Sequence, residues 1–218
     1  QLFVSCMVNG ELYLFSTSST HRPQTVNFDR TPLFSLQTGK PVAIAVPQDY
    51  QIKSDIAVRF KDGKVTTSTK ESVGKELMPY FTTGNSENEQ TAPLKVENGY
   101  ATISLPDAEY GFSHLPYGYL NSQRKENLLI PRPVNEVYTY TIECPENMEL
   151  RTPETDKTIR NAAGSLTISV KKNGRTATVT RSLELNKQLY TPAEYKELRQ
   201  LLTEWSDVNG KTLLFSVR

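Results

Sequence analysis

Apolar and polar residues alternate with a period of two through much of this chain, the signature of half-buried β-strands. Residues 2–8 (Leu-Phe-Val-Ser-Cys-Met-Val) and 11–16 (Glu-Leu-Tyr-Leu-Phe-Ser) flank Asn9-Gly10. Asn-Gly supplies the positive φ angles of a type I′ turn, which predicts a hairpin. Residues 17–40 are polar and broken by Pro23, Pro32 and Gly39; 41–46 form a short apolar strand stopped by Pro47, where a domain boundary is placed. Ile56, Val58 and Phe60 then alternate with Asp55, Ala57 and Arg59, and Lys61-Asp62-Gly63-Lys64 turns the chain into 65–69, a second hairpin. Val73, Leu77, Met78 and Phe81 predict a short helix within 71–81. Residues 82–93, all Thr, Gly, Asn, Ser, Glu, Gln, Ala and Pro, read as an exposed loop, and strands resume at 94–97 and 100–105.

The second half is clearer. Residues 110–120 (Tyr-Gly-Phe-Ser-His-Leu-Pro-Tyr-Gly-Tyr-Leu) are the densest aromatic patch. Residues 137–143 are β-branched or aromatic almost throughout. Asn173-Gly174 separates strands at 165–172 and 175–185. In the latter, Ala177, Val179, Leu183 and Leu185 share one face, and Arg181 falls on that apolar face, breaking the pattern. Thr191-Pro192-Ala193-Glu194 reads as a capping box opening a helix over 192–206, whose stripe is Tyr195, Leu198, Leu201, Leu202 and Trp205. Asn209-Gly210 stops it, and 212–217 closes the chain as a strand. The prediction is a mainly β protein: a β-hairpin segment, then an antiparallel β-sandwich with one C-terminal helix packed on it. There is no internal repeat.

Composition sharpens this only a little. Of 218 residues, 37% are apolar. Counting Gly in place of Tyr leaves the figure unchanged, because there are 11 of each. That lies below the ~45–50% usual for globular domains and suits thin β-layers. With 25 basic and 24 acidic residues the net charge is +1, which argues against nucleic acid as the main partner. No run approaches the ~18 apolar residues of a membrane span, and no basic leader precedes an apolar run, so the chain reads as a mature or excised piece without a signal peptide.

Candidate chemistry is sparse. Cys6 and Cys144 belong to no Cys-x-x-Cys pair, so zinc and redox motifs are absent. A Cys6–Cys144 disulfide stays open, although two buried thiols fit better with Cys as a small hydrophobe. A nucleophile–histidine site must use His21, near Asp29, or His114, inside the aromatic patch. Both read more simply as surface or packing residues, and Cys6 lies in a strand rather than at a thiolate-stabilising helix N-terminus. No metal or cofactor site is predicted. Glu143, Glu146 and Glu149 have the spacing of a strand end and turn rather than of a catalytic pair, and Lys171, Lys172 and Arg175 make a charged hairpin tip. The best binding feature is the aromatic patch, in which Tyr110, Phe112, Tyr117 and Tyr119 would either stack on a glycan or plug one end of the sandwich.

Two further stretches carry a resemblance. Residues 132–146 (Arg-Pro-Val-Asn-Glu-Val-Tyr-Thr-Tyr-Thr-Ile-Glu-Cys-Pro-Glu) together with 164–185 and Tyr190-Thr191-Pro192-Ala193-Glu194-Tyr195 resemble the C-terminal domain of exported bacterial transglutaminase-like proteins, a domain of unknown function. The likeness is good over 131–218 and weaker over 47–130. Residues 8–18 (Val-Asn-Gly-Glu-Leu-Tyr-Leu-Phe-Ser-Thr-Ser) resemble the last strands of the papain-like transglutaminase core, where the family's triad aspartate falls at Ser16 and its histidine near Gln1 to Phe3. Neither residue is there, and Cys6 does not match the family's nucleophile. The resemblance implies the end of a core and a linker at 1–46, then an accessory sandwich at 47–218. It implies a non-catalytic role at the periplasm or beyond, with a protein or cell-envelope partner. The competing expectations are a glycan-binding sandwich and, last, a hydrolase using Cys6 or His21.

Overall fold

Once strands pair, side chains on alternate residues share one face, and that face must be buried. The computed structural model describes residues 2–8, 11–17, 33–35, 51–73, 84–108, 111–112, 120, 123–130 and 134–218. Strands β1 (Leu2–Val8), β2 (Glu11–Thr17) and β3 (Leu33–Ser35) form one antiparallel sheet. Val8 faces Glu11, the register predicted for a two-residue turn. The predicted strand at 41–46 lies outside the described residues.

Two larger sheets hold the core. In order, the first contains β12 (Thr155–Asn161), β13 (Gly164–Asn173), β14 (Thr176–Leu185), β10 (Asn135–Glu143), β4 (Ile52–Lys61), β5 (Lys64–Val73) and β6 (Gly84–Pro93). The second contains β11 (Met148–Leu150), β16 (Thr212–Val217), β8 (Tyr100–Ser104) and β7 (Val96–Glu97). A short pair, β9 (Leu128–Leu129) with β15 (Leu189–Tyr190), lies beside them. Ile52, Ile56 and Val58 of β4, Tyr138, Tyr140 and Ile142 of β10, and Val179 and Leu183 of β14 enter one cluster with Leu213 and Phe215 of β16. The Phe60 and Phe215 rings meet edge to face across the two sheets, centroids 5.3 Å apart.

The predicted mainly β, antiparallel fold with a C-terminal helix is the one that forms. Details differ. One pair in the large sheet is parallel, β4 with β10, Ile52 beside Glu136 through Arg59 beside Glu143. Hairpins enforce antiparallel pairing, but these two strands are joined by a long excursion, which permits a parallel match. Residues 71–73, the start of the predicted helix, are the end of β5, and 74–81 lie outside the described residues. Most of the stretch read as a loop, 82–93, is the edge strand β6, registered with β5 from Val73–Gly84 to Lys64–Pro93. Its described side chains are mostly exposed on both faces, so no apolar alternation betrays it. Strand β12 escapes the sequence reading in the same way, whereas β11 does bury Met148 and Leu150 but is only three residues long.

The turns follow their chemistry. Asp62 and Gly63 have φ of 50° and 70°, and Asn98 and Gly99 have 52° and 78°, so both are two-residue turns of the I′ kind. The third hairpin is offset by one residue. Asn173 pairs with Thr176, leaving Gly174-Arg175 as its loop.

Helix α1 (Tyr195–Ser206) starts three residues later than predicted, and its buried residues are the predicted stripe, Tyr195, Leu198, Leu201, Leu202 and Trp205. Half of the capping box forms: the Thr191 N–H and hydroxyl both donate to Glu194 Oε2, each at 2.9 Å. Lys187 donates to the same carboxylate group. The Lys187 bond first, then those from Thr191, lower the Glu194 pKa from its ordinary 4.5 to about 2. A depressed carboxyl stabilises the fold above pH 4.5 and loses that effect as pH falls through about 2. Glu194→Gln is therefore expected to unfold more easily than the parent at neutral pH and equally easily near pH 2, as followed by circular dichroism. A constant gap at every pH would refute the assignment.

Candidate functional site

Arg181 explains its own break in the pattern. The alternation of β14 turns it into the core, where it is fully buried. Its Nη2 donates to the Trp205 carbonyl at 2.5 Å, and the guanidinium lies over the Trp205 ring, 4.5 Å from the centroid. Trp205 stands in the last turn of α1, which has no basic residue of its own. The strand arginine thus supplies the positive charge that a helix C-terminus favours. Nη1 lies 3.7 Å from Asp107 Oδ1, too far for a hydrogen bond, and neither Nε nor Nη1 has a hydrogen-bond partner. Asp107 is held more closely by Lys211, whose Nζ donates to both carboxylate oxygens at 2.8 and 2.7 Å.

A second buried charge lies on the neighbouring strand. Glu136 of β10 is fully buried and accepts from the Phe112 N–H at 2.6 Å and from the Tyr138 hydroxyl. Burial, then the Glu136 charge, drives the Tyr138 phenol far above its ordinary range. The Tyr140 hydroxyl donates to the Pro106 carbonyl at 2.8 Å. Burial raises its pKa as well, although Arg181 pulls the other way. Trp205 Nε1 donates to the Phe112 carbonyl at 2.9 Å, so both backbone groups of Phe112 are fixed. At Gly111 a β-carbon would stand 1.9 Å from the Tyr138 hydroxyl oxygen, so only glycine allows this approach.

The cluster therefore ties together β10, β14, α1 and residues 106, 107 and 112. Apart from Arg181 Nε and Nη1, these donors and acceptors face one another and the backbone. Chemically this is a clamp on the stretch of chain that leads into the aromatic patch. Of the four candidate ligand-binding residues, Phe112 is 6% exposed and packed in the core. Tyr110, Tyr117 and Tyr119 lie outside the described residues, as do His21 and His114. Cys6 pairs with Tyr13 through the backbone of β1 and β2, and nothing further is described of its side chain.

The other candidates separate. Cys144 is a free, buried thiol. Burial pushes its pKa up against weaker pulls from the Leu150 backbone, Arg175 and Lys172, which makes it a poor nucleophile at neutral pH. It borders a shallow groove of ≈ 480 Å³ with Arg59, Glu89, Glu143 and Arg175. The three acids do not converge: Glu143 pairs with Arg59 at 3.5 Å, Glu146 with Arg175 at 3.0 Å and Glu149 with Arg151 at 3.1 Å. Lys172 donates to the Leu150 carbonyl at 2.9 Å. Among the described residues, no group of three or more His, Cys, Asp or Glu is placed to hold a metal ion, and no helix is long and apolar enough to cross a membrane.

In the sequence pattern Arg181 stands out only as an irregularity, and nothing singles out Glu136 or Asp107. A lone arginine on an apolar strand face was the available signal, because burial there demands partners.

No curated protein matches the sequence. One solved structure that matches is a 2.00 Å crystal structure described as "a putative protease from Parabacteroides distasonis ATCC 8503". It is 26% identical, with a TM-score of 0.54 over 99% of this chain and 35% of that one, so the chain spans about a third of that protein's length. The family model described as "Domain of Unknown Function with solved-structure structure (DUF3858)" matches residues 100–215, more than half of the length and the span that contains Asp107, Phe112, Glu136, Arg181 and Trp205, and the chain belongs to that family.

Proposed function

We propose that this chain is a non-catalytic accessory or interaction domain of a longer, exported, transglutaminase-like protein. Residues 1–46 would be the end of the core and its linker. Residues 47–218 would be the module that positions that core or engages a protein partner at the cell envelope. The buried cluster carries this reading. Most of its polar side chains are directed at one another or at the backbone of Pro106, Phe112 and Trp205, an arrangement that holds a shape rather than presenting reactive groups to a substrate. Two observations support it. The protease-like neighbour has about two-thirds of its length beyond the region matched here. The register of β1 and β2 sets Phe3 directly opposite Ser16, within the two places where the transglutaminase resemblance puts histidine and aspartate, so the pairing suits a core remnant whose reactive side chains have been replaced.

The chain alone is expected to give neither peptide hydrolysis nor amine incorporation into a glutamine-containing protein. Steady turnover that disappears on Cys6→Ala would overturn the non-catalytic reading. The accessory role is tested separately, by calorimetric titration of the chain with the segment that precedes it in the full-length protein. Saturable binding is expected, and its absence would remove the positioning role.

A further inference from the structure

Two long strands end the seven-stranded sheet, and they differ in what they offer to a partner. At one end, β6 carries Glu87 and Glu89 on one face, where they meet Lys70 and Ser68 of β5. Opposed antiparallel to a second copy of itself about Asn88, β6 would bring these acids face to face, which is unfavourable. At the other end, β12 reads Thr-Asp-Lys-Thr-Ile-Arg-Asn, and among the described residues its outer edge pairs with no strand. We propose that β12 is a self-complementary edge through which two copies of this chain join, antiparallel and centred on Thr158.

Backbone register dictates this pairing. Asn161 pairs with Gly164 across the two-residue loop Ala162-Ala163, which makes it a hydrogen-bonded pair. Bonding then alternates, so Asn161, Ile159, Lys157 and Thr155 direct their backbone groups to β13. The N–H and C=O groups of Asp156, Thr158 and Arg160 point away from the sheet. A two-fold axis at Thr158 lets Thr158 exchange both bonds with its symmetry mate. It also sets Asp156 opposite Arg160 of the other copy, and Arg160 opposite Asp156. All three of these side chains are exposed. Shifting the axis to Lys157 opposes lysine to lysine, and shifting it to Ile159 leaves the charges unmatched. The helix-side face is compatible. Lys157 is held by Glu204 at 2.5 Å, and Ile159 packs against the core. The two would face each other across the seam, with the lysine stem over the isoleucine. A seam of this length is small beside a standard interface, so the dimer should depend on concentration.

The test is sedimentation equilibrium of the 218-residue chain from low to high micromolar concentration. A reversible monomer–dimer equilibrium is expected. Asp156→Arg alone, or Arg160→Asp alone, opposes like charges twice and should weaken the dimer roughly tenfold or more. The double exchange, Asp156→Arg with Arg160→Asp, should restore it. Thr158→Pro removes an N–H that β13 does not use, so an unchanged circular dichroism spectrum with loss of the dimer is expected. A chain that stays monomeric throughout, or a dimer indifferent to the single exchanges and to Thr158→Pro, overturns the proposal.

Discussion

Replacing Trp205 with Ala should lower the unfolding free energy by roughly 3–5 kcal/mol, the cost of emptying a large buried aromatic site. Trp205 is fully buried, and it packs on the Tyr138 ring with centroids 5.3 Å apart. It also receives Arg181 on its face and holds the Phe112 carbonyl through Nε1. Truncation leaves a cavity and an unpaired carbonyl, and it strips the arginine of its ring. Stabilities of natural domains run at about 5–15 kcal/mol, so the loss would consume a large part of the total. Trp205 is the only tryptophan, so urea unfolding of both proteins should be followed by circular dichroism. A midpoint unchanged by the substitution would mean that α1 is a dispensable appendage.

Asp107→Ala should be comparably damaging, roughly 3–5 kcal/mol, because removing one partner strands the charges it balanced. Asp107 lies between Lys211, in direct contact, and Arg181 at 3.7 Å. Without it, two largely buried cations face each other with no anion between them. Arg181→Met should be far milder, on the order of 1 kcal/mol, since it removes the two nitrogens that have no hydrogen bond and leaves the closer Lys211–Asp107 pair intact. Adding Arg181→Met to Asp107→Ala should then recover much of the loss, a clear departure from additivity. Equal and additive costs for the two single variants would show that the three charges do not act as a unit.

What could be read in advance follows from how each element is buried. Strands β4, β10 and β14 and the stripe of α1 each put one face into the core, so their periods survive in the sequence. The edge strands β6 and β12 bury almost nothing and write no alternation; Ser, Asn, Glu and Thr there look the same in a strand as in a loop. The parallel match of β4 with β10 was invisible because no turn links them. At the site, the irregular residue Arg181 was visible but its partners were not. Asp107 lies in an irregular stretch and Glu136 near the start of a strand, and only the folded topology brings both to the end of α1. The expectation of a domain of unknown function over 131–218 agrees with the family match, since most of that region falls within 100–215.

The parallel seam between β4 and β10 also sets a timetable for synthesis. Ile52 is matched with Glu136, so the first three strands of the large sheet are complete long before their neighbour exists. At ~5–20 residues per second, the intervening stretch takes several seconds or more to emerge. During that wait the β4–β5–β6 unit has Ile52, Ile56 and Val58 uncovered and the free edge of β4 open to any passing strand. A fragment cut to the matched span 100–215 meets the converse problem: β10 would keep β14 on one side and present a bare nine-residue edge on the other. Folding yield from such a fragment should depend on whether residues 52–93 are supplied, covalently or in trans.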